Sequence, residues 1–368
     1  MLYKRIIKPI AFKFDAEDVH NRVTKLGQFL GRYKATKKVL KKLYYYENKI
    51  LEQNILNIKF KNPIGLAAGF DKNAKLLDVL PSVGFGYVEV GSITGEKCEG
   101  NPKPRLFRLP KDRALLVNYG LFNDGAEIIS KRLQNKKYEI PVGISVARTN
   151  IKLTKEEAIK DYYKAFKIMQ PFSDYVTVNV SCPNADDGRM FSDKKHLKDL
   201  LKEINKIEIN KPVFLKLKPD VNKKEIDDVL AVINDYKFIK GLVISNLTKH
   251  RENLKTKKED IDILSLDGSI SGKAIWEKSN EMLKYVASKT KGKYIIIGVG
   301  GIFNADDAYY KIRNGASLVQ LMTGMIYEGP GLIKNINKRL VEKLKKDNFS
   351  NIGEAVGVDV KGFKRSFN

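Results

Sequence analysis

Cysteine and histidine are scarce in this chain: Cys98 and Cys182 are the only thiols, and three histidines complete the set in 368 residues. Two cysteines cannot build a disulfide framework, so a reducing compartment, the cytoplasm, is the expected setting. No clustered His/Cys spacing of the zinc-binding kind occurs, and no metal site is expected. Runs of about 18 apolar residues are missing too, which leaves no candidate for a membrane-spanning helix. Basic residues break up every apolar stretch near the start, so no secretory signal is expected there. Neither a P-loop nor an aromatic RNA-binding signature accompanies the formal charge of +25. No specific nucleic-acid partner is therefore expected, and the charge reads first as a lysine-rich, solvated surface.

That charge is unevenly spread. Residues 1–53 carry thirteen Lys/Arg against five Asp/Glu. Within them Val19, Arg22, Val23, Leu26, Phe29 and Leu30 recur near helical spacing, with Asp15 placed to cap the front and Gly31 to end the helix. A second helix is expected from about Thr36 to Leu51, with Val39, Leu40, Leu43, Ile50 and Leu51 apolar among lysines. The segment reads as a small basic helical extension, residues 1–53, ahead of a catalytic domain over residues 54–368.

From Asn62 onward short apolar runs alternate with longer mixed segments. Eight are found: Pro63–Ala68, Phe85–Val90, Ile140–Val146, Tyr175–Val180, Val213–Leu217, Gly241–Ile244, Tyr294–Val299 and Ser317–Leu321. Continuous apolar runs signal strands buried on both faces, as in parallel sheets covered by helices. Eight such units predict a closed (β/α)8 barrel. An open doubly wound sheet is the runner-up, but no Gly-x-Gly-x-x-Gly follows the first strand. Lys97–Val117 is too long for a plain loop and is expected to hold a small hairpin at the catalytic end of the barrel.

Barrel active sites form at the C-terminal ends of the strands. What stands there is small and polar: Gly69 to Asn73 after the first run, Gly91 to Thr94 after the second, Asn179 to Asn184 after the fourth. Lys216 to Asp220, Ser245-Asn246, Gly298 to Gly301 and Met322-Thr323-Gly324 end the later ones. Such residues suit a planar polar ligand better than a packed core. Gly300, Gly301 and Gly324 let backbone N–H groups approach a phosphate, and flavin mononucleotide (FMN) is the cofactor that fits best.

Five stretches then carry a resemblance: Ile64-Gly-Leu-Ala-Ala-Gly-Phe-Asp-Lys72, Asn101-Pro-Lys-Pro-Arg105, Asn179-Val-Ser-Cys-Pro-Asn184, Ile297-Gly-Val-Gly-Gly-Ile302 and Gly315-Ala-Ser-Leu-Val-Gln320. Together they resemble the dihydroorotate dehydrogenase family over nearly the whole chain. The resemblance implies FMN-dependent oxidation of dihydroorotate to orotate in pyrimidine synthesis, with a base taking the C5 proton while C6 gives hydride to the flavin. Cys182 stands at the position of the base; cationic neighbours lower a thiol's pKa, whereas most cysteines are inert and buried. Lys72, Asn118, Asn179, Asn184 and Asn246 match substrate-binding positions, although a single Asn is more often a turn or cap residue. Lys216 resembles the lysine beside flavin N1, where a cation stabilises the reduced anion. Ala68, Gly69, Ser92, Ser145, Asn179, Ser245, Gly272, Gly300, Gly301, Met322, Thr323 and Gly324 are the other flavin contacts implied. His196 and His250 lie in polar surroundings and read as surface residues.

The family divides by electron acceptor, and this sequence mixes its classes. The Phe12–His20 stretch resembles the start of a quinone-linked extension, with His20 and Arg108 as tunnel residues. An amphipathic basic pair of helices suits an anionic membrane surface, so quinone is the favoured acceptor. Peripheral seating on the cytoplasmic face of the inner membrane is the matching variant of the location. Cys182, however, is the base of the soluble class, which reduces fumarate, or NAD through an iron–sulfur flavoprotein partner. Met322 replaces a tunnel tyrosine, Ser145 replaces an asparagine of the quinone class, and the Asn118–Asn123 loop blends both versions, leaving the role of Asn123 open. Two other readings stay beside these: a related flavin barrel acting on an uncharged dihydropyrimidine, and a non-catalytic flavin- or phosphate-binding barrel.

Overall fold

The computed structural model describes residues 2–181, 193–252, 254–256 and 267–364. A short antiparallel hairpin, β1 (Gln53–Ile55) and β2 (Ile58–Phe60), precedes the barrel. Leu56 and Asn57 turn it with φ of 54° and 62°, the positive values that two-residue hairpin loops favour. β3 (Ile64–Leu66) and β4 (Tyr87–Ile93) open the barrel. A second hairpin, β5 (Leu106–Leu109) and β6 (Ala114–Val117), is inserted after them. Then come β7 (Val142–Val146), β8 (Tyr175–Asn179), β9 (Val213–Leu217) and β10 (Ile239–Ile244). β11 (Ser269–Gly272) joins the inserted hairpin through β6, and β12 (Ile295–Val299) and β13 (Leu318–Leu321) complete the chain of strands.

The eight strands β3, β4, β7, β8, β9, β10, β12 and β13 close in that order into one barrel, every pair parallel. All eight expected runs supply a barrel strand. Period-two alternation sends every second side chain inward. Tyr87, Tyr175, Phe214, Ile295 and Leu318 pack there against Ile55 and Phe60 of the first hairpin, which plugs one end. Gly65 and Gly143 make room for this layer. A Cβ on Gly65 would come within 2.3 Å of the Tyr87 ring, and one on Gly143 within 2.1 Å of the Tyr175 ring.

The inserted segment is the expected hairpin, with β11 as an unforeseen third strand. In the extension the first helix runs Ala16–Gly31, and Asp15 caps it by accepting from the N–H groups of Glu17 and Asp18. The second helix is shorter than expected, Lys34–Tyr44 instead of Thr36 to Leu51. Tyr45 turns the backbone extended, and Asn48 then caps a separate 3-10 turn at Lys49–Leu51 through the N–H of Ile50. Three successive tyrosines with a capping Asn behind them favour leaving the helix there.

The extension is fastened by charge as well as by packing. Arg105 donates Nη2 to Glu17 Oε1 at 2.9 Å and Nε to Oε2 at 3.1 Å, and both residues are buried. The same guanidinium donates to the carbonyls of Glu99 and Asn101. No helix among the described residues is long and apolar enough to cross a membrane.

Candidate active site

The C-terminal strand ends meet in a cavity of ≈ 940 Å³, its open mouth included. β3 delivers Ala68, Gly69 and Lys72, β4 delivers Ser92, β8 delivers Asn179, β9 delivers Lys216, and β10 and β13 lead into Asn246 and Met322. One wall is apolar: Leu106, Leu115 and Val117 of the β5–β6 hairpin, with Phe70 and Ile326. His20 from the extension completes the lining. A second pocket adjoins the first and shares Ala68, Lys216, Asn246 and Met322 with it. Ser245, Gly272, Gly300, Gly301, Thr323 and Gly324 line its far side.

A run of hydrogen bonds ties the rim together. The Ser145 and Ser92 hydroxyls lie 2.7 Å apart. Asn179 Nδ2 donates to Ser92 Oγ at 2.9 Å, Ser181 donates to Asn179 Oδ1, and Asn246 Nδ2 donates to Ser181 Oγ at 2.8 Å. Four strand ends are thereby fixed relative to one another, with Asn179 at the centre. Ser181 had no role in the sequence reading; its signal was the one that marked its neighbours, a small polar residue at a strand end. Cys182 and Asn184 lie outside the described residues.

Lys72 is the most constrained cation in the cavity. Its ammonium stands 3.8 Å from the centre of the Tyr119 ring and 3.5 Å from His20 Nε2. Burial lowers its pKa to about 8, Glu17 and Asp71 working against that drop and Arg105 adding to it. Burial, with the Lys72 charge second, pulls His20 down to about 3, so its imidazole is neutral and free to accept from the lysine. Asp71 accepts the N–H groups of Lys75 and Leu76 at 2.8 Å each and turns the chain after β3. Lys216 is buried at the junction of the two pockets, and burial lowers its pKa against the pull of Glu89.

Other expected residues lie further out. Asn118 does not line the cavity; its side-chain oxygen accepts from Asn101 Nδ2 at 2.7 Å and its N–H donates to the Arg105 carbonyl. Asn123 holds the loop together: it donates to Thr94 Oγ1 and the Leu121 carbonyl, and accepts from the N–H of Gly125. Arg108 is absent from the lining, and donates to the Phe14 carbonyl at 2.7 Å beside the Phe12 ring. Cys98 is a free, buried thiol that donates to the Gly120 carbonyl. Glu89 and Tyr119, central to the electrostatics, carried no mark in the sequence beyond a lone acid in an apolar run and one aromatic in a loop.

The barrel gathers its polar groups at this face beside an apolar side wall, and its sequence matches place it among the oxidoreductases that act on CH–CH bonds. The chain is a member of the dihydroorotate dehydrogenase family, flavoproteins of pyrimidine biosynthesis, whose family model matches residues 50–344. It is 37% identical over 374 residues to a protein of Trichodesmium erythraeum described as dihydroorotate dehydrogenase (quinone), covering 97% of this chain and 98% of that one. A protein of Christiangramia forsetii with the same description is 39% identical over 346 residues, covering 93% and 99%. Among solved structures, the Eimeria tenella enzyme in complex with ferulenol superposes with a TM-score of 0.82 at 28% identity, covering 94% of this chain and 96% of that one.

Proposed function

We propose that this chain oxidises dihydroorotate to orotate with FMN and passes the electrons to a quinone. The observation that carries the reading is the double character of one cavity. A hydrogen-bonded polar rim with a lysine faces an apolar wall that the extension helps to enclose.

The residues present fit FMN. Among the described residues the N–H groups of Gly300, Gly301, Thr323 and Gly324 donate to no protein acceptor, and all four residues line one pocket. A Cβ on Gly300 would come within 2.8 Å of Ile275, one on Gly301 within 2.9 Å of Trp276, and one on Gly272 within 2.4 Å of the Arg113 carbonyl. Free donors on a backbone that side chains cannot crowd make a phosphate cradle. Ala68, Gly69, Ser92, Ser145, Asn179, Ser245 and Met322 would hold or back the ring, and Lys216 would stand beside its N1. When bound, FMN supplies the hydride acceptor for C6 of the substrate.

The chain's own residues do the rest. Lys72 pairs with the substrate carboxylate. Asn179 and Asn246, with Asn184, present amide donors and acceptors to the urea-like edge of the ring, and Asn118, set back from the cavity and bonded to Asn101, would have to turn toward it to join them. Cys182 takes the C5 proton on its sulfur. The apolar wall and His20 lead from the ring toward the extension and would admit a quinone, with Arg108 at the outer end. Of fourteen exposed large apolar residues among the described residues, eleven (Leu2, Ile6, Ile7, Ile10, Phe14, Val23, Leu26, Phe29, Tyr33, Val39 and Leu43) lie in residues 2–43. Such a concentration beside thirteen basic residues suits peripheral contact with an anionic bilayer from the cytoplasmic side. The cysteine at 182 favours the second reading of the acceptor, fumarate, or NAD through an iron–sulfur flavoprotein partner.

Steady-state oxidation of dihydroorotate by the FMN-loaded chain, with a soluble quinone, fumarate or NAD offered in turn, tests the proposal. Turnover with quinone alone is expected. Turnover with fumarate and none with quinone would make Cys182, rather than the extension, the guide to the acceptor.

A further inference from the structure

Glu89 projects from β4 into the barrel and is fully buried. One carboxylate oxygen is saturated by neutral donors: Oε2 accepts from Thr177 Oγ1 at 2.9 Å, Gln320 Nε2 at 3.0 Å and Tyr175 OH at 3.2 Å. Oε1 receives no hydrogen bond. It faces the Lys216 ammonium 4.0 Å away, and no other carboxylate among the described residues lies that close to Lys216. Tyr87 and Tyr175 are the other titratable groups around Glu89, and burial together with the Glu89 charge pushes both phenols well above their ordinary range. The phenols therefore add no charge there, and Lys216 is the basic group that the described residues place beside Glu89.

Such a pair is a poor device for stability. Desolvating both ions costs about as much as their attraction returns, and apolar replacements of equal size commonly do as well. At 4.0 Å the two are also just short of a direct hydrogen bond, so the lysine keeps its donors for whatever occupies the pockets it lines. We propose that Glu89 is the positioning residue for Lys216: from beneath the site it keeps the ammonium charged, and so fixes the charge that Lys216 presents to the bound flavin. This rests on the FMN reading above. Burial alone would drive Lys216 toward the neutral amine, and Glu89 is the charge that opposes it. With Glu89 in place Lys216 stays protonated whether the flavin is oxidised or reduced. Without it, the amine is neutral beside oxidised flavin and takes one solvent proton onto Nζ when an external reductant delivers two electrons to the flavin.

The test is the midpoint potential of bound FMN in the full chain, measured spectroelectrochemically from neutral to mildly alkaline pH. Glu89→Gln should make the potential fall more steeply with pH, by ~30 mV per pH unit for one extra proton per two electrons. Glu89→Asp should restore the wild-type slope, and Lys216→Met placed on Glu89→Gln should abolish the added slope. A wild-type slope in folded, flavin-loaded Glu89→Gln would overturn the proposal. If Glu89→Gln does not fold, Lys216→Met alone decides the matter. A lower midpoint with an unchanged slope is expected, whereas an unchanged midpoint, or a wild-type slope steeper than that of Lys216→Met, would overturn it. Failure of the wild-type chain to bind FMN would instead remove the cofactor reading, a result separable from all of these.

Discussion

Lys72 shows how a single side chain couples the chemistry to its surroundings. Its pKa of about 8, set first by burial, lies below the ordinary 10.5 of a lysine. A carboxylate ligand binds the ammonium and not the amine. Orotate affinity should therefore be full below pH 8 and weaken about tenfold per unit above it, as the free protein loses the charge. Lys72→Met should weaken orotate by roughly tenfold to a hundredfold at neutral pH and remove that pH dependence. Orotate titrations of bound-flavin absorbance across this range would check both. Equal affinity in the variant would favour an uncharged dihydropyrimidine as substrate. The same ammonium stands 3.5 Å from His20 Nε2, so the extension reaches the residue that would hold the carboxylate.

Among the elements, the helix Ala16–Gly31 depends on a buried ion pair for its seat. Glu17→Ala would strand the Arg105 guanidinium with carbonyl partners alone, and breaking a buried pair of this kind costs about 3–5 kcal/mol. The expected result is a lower melting temperature and faster proteolysis within residues 2–44, with the barrel's resistance retained. Unchanged cleavage would show that packing alone seats the helix. The barrel elements were legible from sequence because strands buried on both faces leave unbroken apolar runs, as in Val213–Leu217 and Ile295–Val299. Ser269–Gly272 was not, because its partner β6 lies about 150 residues earlier and local pattern carries no trace of so distant a pairing. The second helix overran for a related reason. Ile50 and Leu51 fit its apolar spacing, yet they belong to a separate turn capped by Asn48. Strand-end residues such as Asn179, Lys216 and Asn246 were legible because the fold itself assigns chemistry to that face. Glu89 was not, since one acid inside Phe85–Val90 reads as a flaw in a strand until the barrel closes around it.

At the scale of the whole molecule, most exposed large apolar side chains among the described residues lie in the extension, which also carries an excess of positive charge and supplies His20 to the cavity lining. Were the extension to rest on a bilayer, as proposed above, a quinone dissolved there would enter from this side. Val23→Asp, Leu26→Asp and Phe29→Asp alter exposed positions, so the fold should survive. Together they should reduce co-sedimentation with anionic vesicles several-fold and raise the KM for a long-chain quinone, while reduction of the flavin by dihydroorotate is untouched. Vesicle binding equal to wild type would assign the patch to something other than lipid.

All of this depends on the cavity being a site where dihydroorotate reduces a bound flavin. Anaerobic mixing of the FMN-loaded chain with dihydroorotate, followed by flavin absorbance in the absence of any acceptor, examines that step alone. The account predicts rapid bleaching in wild type and a loss of roughly a hundredfold or more in Cys182→Ala with flavin still bound. Flavin that stays oxidised in wild type at saturating dihydroorotate would contradict it.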